Sequence, residues 1–92
     1  NKEKRMKKSV HLHQLRKNLD AINKELVLLI AKRIRVSRTI YTLKKELHLP
    51  IHDQSREIEV LHKTKQYAKR YKVNQKLTEK IMKDLIKEGK KQ

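Results

Sequence analysis

The sequence predicts an all-α protein with three helices per chain, one very long and two shorter, paired as an intertwined helical homodimer. Three observations carry this expectation. Pro50 and Gly89 are the only proline and glycine among 92 residues, so almost nothing punctuates the helical pattern between Ser9 and Leu47. Along that stretch apolar residues fall at Leu12, Leu15, Leu19, Ile22, Leu26, Leu29, Val36, Ile40, Leu43 and Leu47, an alternating three-and-four spacing held over about five heptads. Such a helix is roughly 58 Å long, whereas a compact globule of this chain length is only about 30 Å across. Its own chain cannot cover it. The economical arrangement is two such helices side by side, each roofed by the short helices of both chains.

The remaining elements follow in order. The basic segment Lys2 to Lys8 is expected to fray, leaving residues 9–92 as the folded domain with its first helix over 9–47. His48-Leu49-Pro50-Ile51-His52 forms a loop, because proline disfavours helical geometry before it and cannot continue the hydrogen-bond ladder. Asp53 suits an N-cap for a second helix over 53–71, with Ile58, Leu61, Ala68 and Tyr71 as its apolar stripe. Asn74 caps a third over 74–89, whose buried face is Leu77, Ile81 and Leu85 flanked by Met82 and Ile86. Gly89, free to adopt positive φ, suits its C-terminal cap.

Composition narrows the function classes. The absence of cysteine rules out disulfides and thiolate metal sites. No apolar stretch approaches the roughly 18 residues of a membrane span, and no signal peptide is visible, so a cytoplasmic protein is expected. Twenty-six Lys and Arg against ten Asp and Glu give a net charge of +16, which favours anionic partners without naming one. Tyr41, Tyr67 and Tyr71 are the only aromatic residues, too few for the stacking platform of a single-strand binder, so nucleic acid is not expected. Of the five histidines, His11 and His13 face different ways on a helix and His48 and His52 straddle a loop, so no metal is expected.

Candidate site residues stand out against the helical pattern. Arg33 occupies the one position in the long seam where the spacing calls for an apolar residue and a charge appears instead; a buried guanidinium is costly unless an anion meets it. Lys44 lies eleven residues on, about 20° away around the helix and about 16 Å along it, so both cations project to one side. Ser37 lies between them on nearly the same face, leaving room for a ligand. The alternative is that both cations reach the surface or pair with Asp53 and Glu57. The run Asp53-Gln54-Ser55-Arg56-Glu57 adds a further cation and two carboxylates at a helix N-terminus, where anions are favoured, although an N-cap with exposed charges explains it too.

Taken together these features resemble the helical chorismate mutases. The resemblance rests on Leu15-Arg16-Lys17-Asn18-Leu19-Asp20, on Ala31-Lys32-Arg33, on Lys44, and on Pro50-Ile51-His52-Asp53 leading into Arg56-Glu57. It runs from about Leu12 to the end of the chain and needs no gap through Glu57. Each element alone is weak; the set is specific, because separations of 17, 11, 9 and 3 link Arg16, Arg33, Lys44, Asp53 and Arg56.

The resemblance implies a Claisen rearrangement of chorismate to prephenate, a step towards phenylalanine and tyrosine, with no nucleophile, no acid–base pair and no cofactor. It implies that Arg16 reaches a substrate carboxylate in the partner's site and that Arg33 binds a carboxylate from its own chain. Lys44 corresponds to the lysine that hydrogen-bonds the ether oxygen, which gains negative charge as the carbon–oxygen bond breaks. Asp53 and Glu57 match residues near the ring hydroxyl, Arg56 matches an arginine that orders this cluster, and Ser37, Ile40, Val60 and Ile86 supply the walls. The family usually carries a serine and, four residues later, a glutamine or glutamate on the third helix, the latter a second donor to the ether oxygen. Here Gly89 stands where the serine belongs. Gln92 takes the donor's place if one residue has been lost around Lys72 to Asn74; otherwise that donor lies past Gln92. Two other readings stay open: an isochorismate pyruvate lyase on the same fold, and a basic helical protein that binds a polyanion.

Overall fold

The computed structural model describes residues 1–91 and is all-helical: α1 spans Lys2–Glu46, α2 Gln54–Arg70 and α3 Gln75–Gly89. By compactness the chain divides into two units, Asn1–Ala31 and Lys32–Gln92, with the helical run of α1 passing from the first into the second. No helix among the described residues is long and apolar enough to cross a membrane.

In the first unit α1 begins at Lys2, where the sequence reading started it at Ser9 and expected the preceding residues to fray. The segment has good helix formers, and Asn1 Oδ1 accepts a hydrogen bond from the Lys4 backbone N–H at 2.9 Å, capping the first turn. Residues 1–29 are all exposed, including the seam residues Leu12, Leu15, Leu19, Ile22, Leu26 and Leu29. Within the first unit nothing covers that stripe.

In the second unit α1 stops at Glu46, four residues before Pro50. The Leu49 N–H reaches the Lys44 carbonyl at 2.8 Å and the His48 N–H that of Lys45 at 3.2 Å, with His48 at φ 56°. This paired closure satisfies carbonyls that the helix end would otherwise leave open. The end of α2 repeats it. The Val73 N–H bonds the Ala68 carbonyl at 2.9 Å, the Lys72 N–H bonds that of Lys69 at 3.3 Å, and Lys72 has φ 57°. At the other ends, Asp53 Oδ1 accepts from the Arg56 N–H and Asn74 Oδ1 from the Leu77 N–H, both at 3.0 Å, so both side chains cap as the sequence predicts.

Helices α2 and α3 pack on one another, and the shielded face of α2 keeps Leu61 and Ala68 of the expected stripe but not Ile58 and Tyr71. Thr64 and Ala68 are buried and Glu57, Val60 and Leu61 half-buried, whereas Ile58 and Tyr71 are exposed. Thr64 is accommodated because its hydroxyl donates to the Val60 carbonyl at 2.8 Å. On α3, Met82, Leu85 and Ile86 are half-buried while Leu77 and Ile81 remain exposed.

Gly89 corrects another expectation. It is the last residue of α3, buried, and no glycine has positive φ; Lys90 is the C-cap, in right-handed helical geometry. The glycine serves close packing against Ser37 instead of a left-handed turn.

Candidate active site

The second unit carries an open cavity of about 170 Å³ with three walls. Arg33, Ser37, Ile40, Tyr41 and Lys44 come from α1, where residues three and four apart share a face. Ile51 of the loop and Asp53, Arg56, Glu57 and Val60 at the start of α2 form the second wall. Ile86, Gly89 and Lys90 close it from the end of α3. The loop matters to this assembly: ending α1 at Glu46 and capping α2 at Asp53 turns the acidic N-terminus of α2 back over Lys44 and Ser37.

Four cationic and two anionic side chains line the space, a formal balance of +2. Arg33 is half-buried, and loss of solvation, followed by repulsion from Arg56, lowers its pKa from the ordinary arginine value. Among the described residues no carboxylate pairs with Arg33 or Lys44. The Lys44 ammonium donates to the Ile51 carbonyl at 3.4 Å, a long bond that a better acceptor can displace. These two cations are thus held in the cavity without being neutralised there.

The other charges are partnered. Arg56 uses its guanidinium on Glu59, one turn along α2, at 2.6 Å, and not on Asp53 or Glu57. The hydrogen bond from Lys63, then the charges of Lys63 and Arg56, lower the Glu59 pKa below the ordinary glutamate value. Asp53 is engaged as the N-cap of α2. Glu57 pairs with Lys90, whose Nζ also lies 3.1 Å from His52 Nδ1.

Arg33, Ser37, Ile40, Lys44, Asp53, Arg56, Glu57, Val60 and Ile86, singled out from the sequence, therefore surround one cavity. Arg16 belongs to the first unit and is exposed. Gln92 lies outside the described residues. Sequence reasoning did not single out Tyr41 or Lys90. Tyr41 was visible in principle, standing four residues after Ser37 on the same helix face; Lys90 carried no such signal, being one lysine in a basic carboxyl-terminal run.

A second, larger hollow in the same unit shares Arg33, Arg56 and Val60 with the first and continues along Thr64, Tyr67, Ala68, Tyr71, Val73 and Met82. Among the described residues no cluster of three or more His, Cys, Asp or Glu is arranged to hold a metal ion.

Residues 15–92 match the family model for chorismate mutase type II. A chorismate mutase of Methanocaldococcus jannaschii is 29% identical over 79 residues, covering 86% of this chain and 80% of that protein. No solved structure matches at a significant level. Since the matched stretch contains most of α1, all of α2 and α3, and every residue that lines the cavity, the chain belongs to the chorismate mutase type II family.

Proposed function

We propose that the three-walled cavity of the second unit is where this chain rearranges chorismate to prephenate. The observation that carries the reading is the charge of the lining. Its balance of +2 complements a substrate and transition state that are both dianionic, and its two unpaired cations, Arg33 and Lys44, stand on one helix face.

The reaction is unimolecular: the ether carbon–oxygen bond breaks as a carbon–carbon bond forms, and no proton or external electron pair is transferred. Two physical contributions are therefore open to the protein. Confinement between α1, α2 and α3 holds the flexible enolpyruvyl ether in its compact reactive geometry, an entropic contribution. Charge placement supplies the other. The Lys44 ammonium, released from the Ile51 carbonyl, hydrogen-bonds the ether oxygen as it becomes negative, so the interaction is stronger in the transition state than in the ground state. Arg33 takes a carboxylate, and its partial desolvation strengthens that pairing. Asp53 and Glu57 face the ring hydroxyl, Arg56 lines the cavity beside them with its guanidinium on Glu59, and Ser37, Ile40, Val60 and Ile86 shape the walls.

The homodimer belongs to the same proposal. The apolar stripe from Leu12 to Leu29 is exposed in the single chain, and its three-and-four spacing suits a second helix. In an intertwined pair Arg16 would reach the partner's cavity, and Gln92, or a residue past it, would supply the second donor to the ether oxygen. A cytoplasmic location accords with the family's biosynthetic chemistry.

Loss of chorismate absorbance on adding purified protein, with prephenate identified as the product, tests the reading. Turnover well above the spontaneous rate is expected. Pyruvate and salicylate formed from isochorismate, with no action on chorismate, would instead assign the cavity to the related lyase reaction.

A further inference from the structure

The end of α3 carries a cation that none of the assigned roles uses. Lys90 is the C-cap of α3, yet its side chain is 37% exposed and does not extend into solvent beyond the helix end. It crosses to the loop and α2, pairing with Glu57 and lying 3.1 Å from His52 Nδ1, which accepts when the imidazole proton is on Nε2. The ammonium thereby becomes part of the cavity lining.

Gly89 sets that position. Its lack of a side chain lets the end of α3 lie against Ser37, so the next residue is delivered at the cavity edge. Arg33 and Lys44 both come from α1 and Arg56 is turned towards Glu59; among the described residues Lys90 is the only cation that lines the cavity from the end of α3. A dianion whose charges are separated is held more firmly when counter-charge comes from more than one wall.

We propose that Lys90 is a substrate-binding residue, contributing from α3 an anion contact opposite the cations of α1, with Glu57 and His52 holding the ammonium in place. The proposal rests on the reading of the cavity as the chorismate site. When a carboxylate enters, the ammonium has three donors and can add that contact while keeping Glu57. Because the carboxylates are charged in substrate, transition state and product alike, the contribution is to binding and much less to the chemical step.

The test compares the wild-type chain with Lys90→Met and Lys90→Arg in chorismate turnover, in prephenate binding by calorimetry and in thermal melting. Removing the charge is expected to raise both KM for chorismate and Kd for prephenate about tenfold, the scale of one charge-assisted hydrogen bond. The change in kcat should be smaller, the melting temperature should move by only a few degrees, and Lys90→Arg should regain most of the affinity. Lys90→Gln serves the same comparison should the methionine variant fail to fold. Unchanged KM and Kd in the neutral variants would overturn the proposal. So would a joint loss of affinity and thermal stability that arginine does not repair, since that pattern marks Lys90 as a strut on Glu57. Wild-type protein that neither turns over chorismate nor binds prephenate would remove the chorismate reading itself, and that failure is seen before any variant is compared.

Discussion

Gly89 of α3 lies so close to Ser37 of α1 that a Cβ added to the glycine would sit 2.9 Å from the serine Cβ and 3.0 Å from its Oγ. The contact joins two walls of the cavity, and the atom nearest to the added carbon is a Cβ held directly on a helix backbone, which cannot swing away. Gly89→Ala is therefore expected to destabilise by about 1–3 kcal/mol, outweighing the gain of up to about 1 kcal/mol in helix propensity. Thermal or denaturant unfolding measures it. Gly89→Ala should cost less in a Ser37→Gly background than in the wild type, and equal costs in the two backgrounds would disprove the steric account.

Lys44 tests the chemical part of the proposed function. Its ammonium has no carboxylate partner among the described residues and only a 3.4 Å bond to the Ile51 carbonyl, so its removal breaks little that holds the fold together. Lys44→Ala should lower kcat about 10²-fold or more, the scale of losing one preorganised oxyanion donor, with the oligomeric state unchanged. Near-normal turnover would be incompatible with the role assigned to it.

The proposed sharing of the site between two chains has a direct consequence. Arg16→Ala and Lys44→Ala proteins should each be nearly inactive, but mixed dimers contain one site that has both residues intact. Mixing followed by subunit exchange should restore activity approaching half of the wild-type level per mixed dimer. Demonstrated exchange with no recovery would count against donation of Arg16 across the dimer.

Lys72 ends α2 in the left-handed region at φ 57°, a conformation that costs a residue with a Cβ roughly 1–2 kcal/mol. Glycine relieves that strain and gives back part of the gain through its freer unfolded chain. Lys72→Gly is expected to raise stability by about 0.5–1 kcal/mol without altering KM, as read from denaturant unfolding and steady-state kinetics. A decrease in stability would show that the lysine side chain contributes more than the backbone strain removes.

Much of the fold was legible because helices are local objects. The long unbroken pattern of α1, the loop around Pro50 and the caps at Asp53 and Asn74 depend on residues within a few positions of one another. The C-terminal closures were less legible, since His48 and Lys72 take positions where glycine would have announced the turn. The glycine that is present, Gly89, was read as such a turn and is helical, because its absent side chain answers a packing demand from a residue 52 positions away. The shielded face of α2 was legible in part: Leu61 and Ala68 are shielded as expected, but Thr64, whose hydroxyl is satisfied by its own helix, is buried while Ile58 and Tyr71 are exposed.

The sequence by itself determined the helical class and the order of the elements, and it marked Arg33, because a charge that interrupts an apolar seam is costly without a partner and stands out against the period of the helix; most of the other cavity residues were reached through the resemblance to the helical chorismate mutases. Only the tertiary structure decided how those charges are partnered: Glu57 with Lys90, Arg56 with Glu59, and Lys44 with the Ile51 carbonyl. Local periodicity tells which way a side chain leaves its own helix. Lys90 comes to Glu57 across 33 positions of sequence, and that meeting depends on the approach of three helices, set by contacts such as Gly89 on Ser37.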